Sequence, residues 1–235
     1  MIPFSWDQRI HRAEELAREI PATSELLTFY GEIARFQKRV FEACPDSGLS
    51  CWTPVLLDLV ARIGPPVLAE AARTLDPALF DSLNCAVPEL QFFARALRQP
   101  YLEALAARNA VPARNAGAQC PACGEKPQAT IRRGEGEGGK RFLLCSMCSS
   151  EWEFRRILCP GCGEENKDKL PVFTSEQFPY VHLEACDTCG GYLKSINLTK
   201  DGRAVPQADE IATTALNIWA EEQGYTKIQV NLLGM

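Results

Sequence analysis

Eight of the chain's 11 cysteines fall in four C-x-x-C pairs, Cys120/Cys123, Cys145/Cys148, Cys159/Cys162 and Cys186/Cys189. A tetrahedral thiolate site needs four sulfurs about 2.3 Å from one metal ion. Two cysteines separated by two residues place both sulfurs on one side of such an ion. The backbone between them turns tightly, and its N–H groups can point at sulfur. The residue after the second cysteine often needs positive φ, which glycine adopts without strain. Gly124, Gly163 and Gly190 stand there in three of the pairs, whereas Ser149 stands in the fourth, whose bend is expected to be less regular.

One pair makes half a site, so four pairs make two. Between Cys123 and Cys145 lie 21 residues, between Cys162 and Cys186 lie 23, and only ten separate Cys148 from Cys159. Each longer gap fits a hairpin or three short strands. Sequential pairing assigns Cys120, Cys123, Cys145 and Cys148 to one ion and Cys159, Cys162, Cys186 and Cys189 to the other, with an interleaved cross-brace as the alternative. A redox dithiol needs one such pair at a helix N-terminus, which four pairs beside strands do not match. Cys44, Cys51 and Cys85 lie in helical surroundings and read as small buried hydrophobes. His182, four residues before Cys186, could replace a ligand, but each site already has four sulfurs; His11 reads as a surface residue.

A site with four cysteine ligands is closed, whereas catalytic zinc keeps a position open. No GxSxG elbow, HExxH helix, phosphate-binding loop or dinucleotide fingerprint occurs, and the chain has two histidines. These features argue against an ordinary enzyme. The formal charge is −5, shared as −2 in residues 1–116 and −3 in residues 117–235. That balance is not the footprint of a nucleic-acid binder. Arg132, Arg133, Lys140 and Arg141 form a basic cluster near the first site, read as a solvated hairpin face diluted by Glu135 and Glu137. No apolar run is long enough to span a bilayer, so no membrane insertion is expected. The N-terminal "MIPFSWDQRIHRAEEL" carries charge where a signal peptide would be apolar. A cytoplasmic location is therefore expected, where thiols stay reduced.

The elements that must position these cysteines divide into two kinds. Residues 1–111 read as helix. Ser5 and Gln8 form a capping box, and residues 24–43 repeat apolar side chains at helical spacing on more than one face. Pro45 stops that helix. Pro54, Pro66, Pro77, Pro88 and Pro100 mark successive helix starts, with Thr53 and Asp76 as caps. Residues 109–119 read as a linker. Strand-like pieces then alternate with turns, "PQADEIATTALNIWAEEQG" returns to helix, and "KIQVNLL" alternates like a final strand. The expected class is α+β: a helical domain over 1–116, a first metal module over 117–156, and a second over 157–235 that includes a C-terminal helix.

The chain resembles the formate dehydrogenase accessory (formation) protein family, the FdhE type. The likeness starts in "RIHRAEELAREIPATSELLTFYGEIARFQKRVF" and is most specific in "CPACGEKPQAT", "RFLLCSMCSSEWEFRRILCPGCGE" and "HLEACDTCGGYLKSI". Family members are often longer, so the N-terminal arm here is short. The resemblance implies two rubredoxin-like (zinc-ribbon-like) β modules whose ligands are the eight paired cysteines. It implies iron, although zinc also fits such sites. It further implies a non-enzymatic accessory protein that binds the molybdenum- or tungsten-carrying catalytic subunit of formate dehydrogenase before export. If the metal modules bind that partner, Trp152 and Arg155 are candidate contacts, being strand-borne and of types enriched at interface hot spots. A homodimer is also compatible with the sequence. The rival readings are a zinc-ribbon nucleic-acid binder and a rubredoxin-like electron carrier or dithiol oxidoreductase.

Overall fold

Helix α1 (Trp6–Glu19) begins at the Ser5 cap: the Gln8 N–H donates to Ser5 Oγ at 3.2 Å, and the Ser5 N–H donates to Gln8 Oε1 at 2.8 Å. In the computed structural model the described residues are 4–43, 49–76, 88–108, 117–134 and 139–235. The expectations for Cys44, Pro45, Pro77, Cys85, Glu135, Glu137 and linker residues 109–116 lie outside them. Helix α2 (Ser24–Ala43) buries Leu27, Phe29, Tyr30, Ile33, Phe36 and Val40. With apolar side chains on more than one face, it packs against several neighbours. Pro54 and Pro66 occupy the first turns of α3 (Thr53–Ile63) and α4 (Pro66–Thr74). Thr53 is the first residue of α3 and not its cap, contrary to the expectation; the cap position is held by Trp52, whose side chain makes no capping bond.

Pro100 does not start a helix. It lies inside α5, one helix from Pro88 to Arg108. A proline there has no N–H for the carbonyl four residues back, that of Ala96. Gln37 of α2 fills the gap: its Nε2 donates to the Ala96 carbonyl at 3.1 Å and to Gln99 Oε1 at 3.0 Å. A buried glutamine on the neighbouring helix thus supplies the donor that the proline removes.

The second half forms one sheet. Strands β1 (Pro127–Arg133), β2 (Lys140–Cys145) and β3 (Glu151–Glu153) form an antiparallel meander, as do β4 (Val172–Thr174), β5 (Val181–Ala185) and β6 (Gly191–Asn197). The meanders join through parallel pairing of β1 with β6, giving the order β3-β2-β1-β6-β5-β4. The alternating tail is strand only at β7 (Thr226–Lys227), which pairs in parallel with the start of β6.

The C-terminal helical segment is broken at Thr213 into α6 (Pro206–Ala212) and α7 (Thr214–Glu222). Every residue of α6 is buried. Ala208, Ile211, Ala212 and Leu232 belong to the core of the helical half, with Leu16, Leu27, Ile33 and Phe93. The preceding Ala204 and Val205 join Phe4, Ile131, Leu144 and Ile196 in a second core against the sheet. The C-terminal segment is therefore a wedge between bundle and sheet.

Buried ions lock this wedge. Asp209 is fully buried and accepts from Arg12 of α1 at 2.8 Å, from the Tyr180 hydroxyl at 2.7 Å and from the Val205 N–H at 2.7 Å. Burial opposes the Arg12 charge, yet its hydrogen bonds to Asp209 hold its pKa above the usual guanidinium value. Beside it, Glu210 meets Lys194 of β6 at 2.9 Å and also pairs with Lys227. Burial alone would raise the Glu210 pKa, but Lys194 and Lys227 bring it down to about 2.

Asp209→Ala removes the fully buried carboxylate from Arg12 and leaves it only the more exposed Glu15 and Asp201. The expected loss is roughly 3–5 kcal/mol of stability, read from urea unfolding, with much of it recovered in the double variant Arg12→Met, Asp209→Leu. Glu210 has a folded pKa below its unfolded one, so its contribution is complete above the ordinary carboxylate value and is lost as pH falls toward about 2. The melting temperature should therefore fall more steeply below pH 4.5 than in Glu210→Gln; equal slopes would contradict the pairing.

Candidate metal centres

Each meander carries its sulfurs in the same two places. The first C-x-x-C turn precedes the opening strand, and the second connects the last two strands, β2 to β3 or β5 to β6. The turns are built alike. The Cys120 N–H donates to the Glu125 carbonyl at 2.8 Å and the Gly124 N–H to the Cys120 carbonyl at 2.9 Å. The turns at Cys159 and Cys186 repeat this pair of bonds, at 2.9 and 3.0 Å and at 2.9 and 2.8 Å. Gly124, Gly163 and Gly190 have φ of 83°, 82° and 67°.

The sulfurs converge in sequential groups, Cys120/Cys123/Cys145/Cys148 and Cys159/Cys162/Cys186/Cys189, all within 4.8 Å of one another in each group. In the first group Cys120 and Cys148 are 3.5 Å apart and Cys123 and Cys145 3.3 Å. In the second, Cys159 and Cys189 are 3.8 Å apart and Cys162 and Cys186 3.7 Å. A tetrahedron with 2.3 Å metal–sulfur bonds has edges of about 3.8 Å. The spacing fits four ligands around one ion, and the described cysteines are all free thiols. Backbone N–H groups point at sulfur, from Met147 to Cys145 Sγ and from Gly161 to Cys159 Sγ, both at 3.3 Å. The thiols of the first group cannot ionise independently. Hydrogen bonding from Cys123 holds Cys120 well below the ordinary thiol pKa, while the bond with Cys120 holds Cys145 far above it. A cation is what allows all four to be thiolates together.

The family model described as "FdhE, central domain" matches residues 119–156, and "FdhE, C-terminal domain" matches residues 143–233. Over residues 119–233 the chain is similar to the FdhE family. A protein FdhE homolog of Aquifex aeolicus is 41% identical over 116 residues, 49% of this chain and 41% of the relative. One from Pseudomonas aeruginosa is 39% identical over 48% of this chain and 38% of its own length. The chain thus spans about two fifths of these relatives in the matched region. One from Shewanella oneidensis is 29% identical over 93% of this chain and 80% of its own length. The crystal structure of the FdhE protein from Pseudomonas aeruginosa superposes with a TM-score of 0.77 at 24% identity, covering 99% of this chain and 97% of that one, so the fold is shared.

The two sites differ in their surroundings. The first is enclosed. Cys120, Cys145 and Cys148 are buried with Leu143, Met147, Trp152, Phe154 and Leu193, and Leu102 and Ala106 of α5 pack against them. The second is open on one side, where Cys162 and Cys189 are exposed. Glycines let the backbone close around it: a Cβ at Gly161 or Gly191 would come within 3.3 Å of Cys189 Sγ.

Ser149 has the reason for its identity in the helical half. It takes φ of 51°, the only described non-glycine residue with positive φ. Its hydroxyl donates to Glu103 Oε1 of α5 at 2.7 Å, and Arg9 of α1 donates to the same oxygen at 2.8 Å. Gln99 of α5 also donates to the Ser146 carbonyl at 2.8 Å. The turn keeps the first of the two bonds of its sisters, from the Cys145 N–H to the Ser150 carbonyl at 3.0 Å, and it is tied to two helices. The sequence signal was the serine itself, standing where three sister turns have glycine; its partners 46 and 140 residues away left no local trace.

Among the other candidates, Trp152 is 6% exposed and its indole N–H donates to the Gly117 carbonyl at 3.1 Å. Its ring is part of the wall of the first site, so as a surface contact Trp152 is corrected; burial leaves it nothing to offer a partner. Arg155 is 64% exposed and pairs with Glu165. His182 is buried and belongs to neither sulfur group. Cys51 is exposed, contrary to expectation.

Ser149→Ala should cost the metal-loaded protein about 1–3 kcal/mol, because Glu103 loses a buried donor while the strained φ remains. Ser149→Gly should cost less, since glycine adopts this φ freely. The order of the two urea midpoints is the measurement; Gly below Ala would contradict the strain argument.

Proposed function

We propose that this chain is a non-enzymatic accessory factor in the formation of active formate dehydrogenase, working in the cytoplasm and binding the enzyme's catalytic subunit through its metal-stapled half. The observation that carries this reading is the pair of four-cysteine constellations, each spaced for one ion, within the two segments that match FdhE domains. The ligands are Cys120, Cys123, Cys145 and Cys148, and Cys159, Cys162, Cys186 and Cys189. Two ions fill these sites, with iron favoured by the resemblance and zinc compatible with the same donors. When bound, the ions cross-link the turns and lend them folding free energy on the order of 10 kcal/mol per site. The chain's own residues do the rest. The turns hold the sulfurs in place, Glu103 and Gln99 tie the first site to α5, and β6 joins the meanders. Free thiols grouped for metal suit a reducing compartment. No described helix is long and apolar enough to cross a membrane.

An electron-carrier reading draws on one observation, the exposure of Cys162 and Cys189. It requires a reversible iron couple with fast exchange to a reductase. The nucleic-acid reading meets a chain of net charge −5 whose thiolate sites each add about −2 when loaded with a divalent ion.

The test is complementation of a strain lacking the gene, with formate-dependent dye reduction as the readout and metal content measured on the same purified protein. Wild type should carry two ions per chain and restore activity. Cys120→Ser with Cys123→Ser should bind about half the metal and fail to restore it, because losing two of four ligands opens the first site. Cys51→Ser should behave as wild type. Full rescue by the double variant at normal abundance would remove the first site from the function.

A further inference from the structure

The sheet face turned away from α6 carries a cleft that the metal sites do not use. On β1, Ala129 and Ile131 enter the core, so Thr130 and Arg132 take the opposite face. There Arg132 and Arg141 cross from the first meander to Glu184 on β5, at 2.9 and 2.8 Å. This clasp neutralises Glu184. Beyond it the face opens into a cleft of about 360 Å³ lined by Arg132, Arg141, Arg156, Lys167, Ile157, Leu170 and Val172, with no carboxylate among the described residues of its wall. A contiguous hollow adds Arg133 and Lys140, again without an acidic lining residue among the described ones.

Two features set this cleft apart from a solvated charged face. The chain's net charge is −5, so a wall of cations is a local reversal of sign. Ile157 and Val172 are 49% and 47% exposed, two of the six large apolar side chains exposed among the described residues. Cations alone would suit any anion. Cations flanking exposed apolar side chains suit a ligand that offers carboxylates and apolar groups together. Val172 also begins β4, the edge strand of the sheet, where an extended chain can lie alongside.

We propose that this cleft docks an extended polypeptide segment of a partner that alternates acidic and apolar side chains, with Arg156 and Lys167 facing its carboxylates and Ile157 and Val172 receiving its apolar groups. The proposal rests on the reading that the chain binds a partner polypeptide, and it names the surface and the chemistry of the contact. A nucleic acid would supply phosphates but would leave the apolar pair uncovered and would meet an acidic protein everywhere else.

The experiment uses the full metal-loaded chain and fluorescence anisotropy of a short labelled peptide alternating Glu and Val. A peptide with Gln in place of Glu and a single-stranded oligothymidine of similar length are the competitors. The Glu–Val peptide should bind and weaken as salt rises. Binding should fall at least about tenfold in Arg156→Glu with Lys167→Glu, and should fall clearly in Ile157→Ser with Val172→Ser. Arg62→Glu, an exposed change on α3, should have no effect. Metal content and circular dichroism of each variant confirm that it is folded. Unchanged binding in the Arg156/Lys167 variant, equal binding of the Gln peptide, or tighter binding of oligothymidine would each overturn the proposal. Capture of the formate dehydrogenase catalytic subunit by wild type and by the Arg156/Lys167 variant alike would overturn the cleft while leaving the accessory function standing. Peptide binding with the stated losses, but no capture of that subunit, would support the cleft and remove the named partner.

Discussion

Four sulfurs must meet at one point, twice, and the β half of the molecule is arranged around that demand. A thiolate cluster without a cation is electrostatically untenable, and a cation without four close sulfurs is not held. Two turns separated in sequence must therefore be brought face to face, and in each half of the sheet a three-stranded meander does this. Its opening strand follows one turn, and its last hairpin is closed by the other. The sheet is less a core with metals attached than a device for holding pairs of turns within a few ångströms.

The two copies of the device have different neighbours. The first is built into the helical half through Ser149, Glu103 and Arg9, and through Gln99 and the Ser146 carbonyl. The second presents two of its four cysteines to solvent. Chemistry that depends on access belongs at the second site, and chemistry that depends on stability at the first. The parallel pairing of β1 with β6 and the Glu184 clasp between Arg132 and Arg141 join the two meanders in one sheet.

The helical half and the sheet are held together by charges in the interior. Arg12–Asp209 and Lys194–Glu210–Lys227 are buried pairs, which contribute little net stability but cost a great deal when one partner is lost. Such pairs specify arrangement more than they stabilise it. α6 can sit only where both sets of partners are met, and that requirement fixes the wedge between bundle and sheet.

The sequence by itself determined the parts governed by local chemistry. The C-x-x-C spacing, the following glycines, the capping box at Ser5 and the proline-led starts of α3 and α4 all act over a few residues and were legible without coordinates. The grouping of sulfurs was nearly so, since sequential pairing is the simplest way to assign four pairs to two ions. Other features were decided by contacts between residues far apart in the chain. Pro100 reads as a helix start because its rescue by Gln37 comes from another helix. The C-terminal residues read as an appendage of the second module because Asp209 and Ile211 meet their partners nearly 200 positions earlier. Trp152 reads as a surface anchor because alternation along a three-residue strand does not say which face is covered. Spacing reports the turn and the cap, but only the packing of distant segments decides which side chains are left to meet a partner.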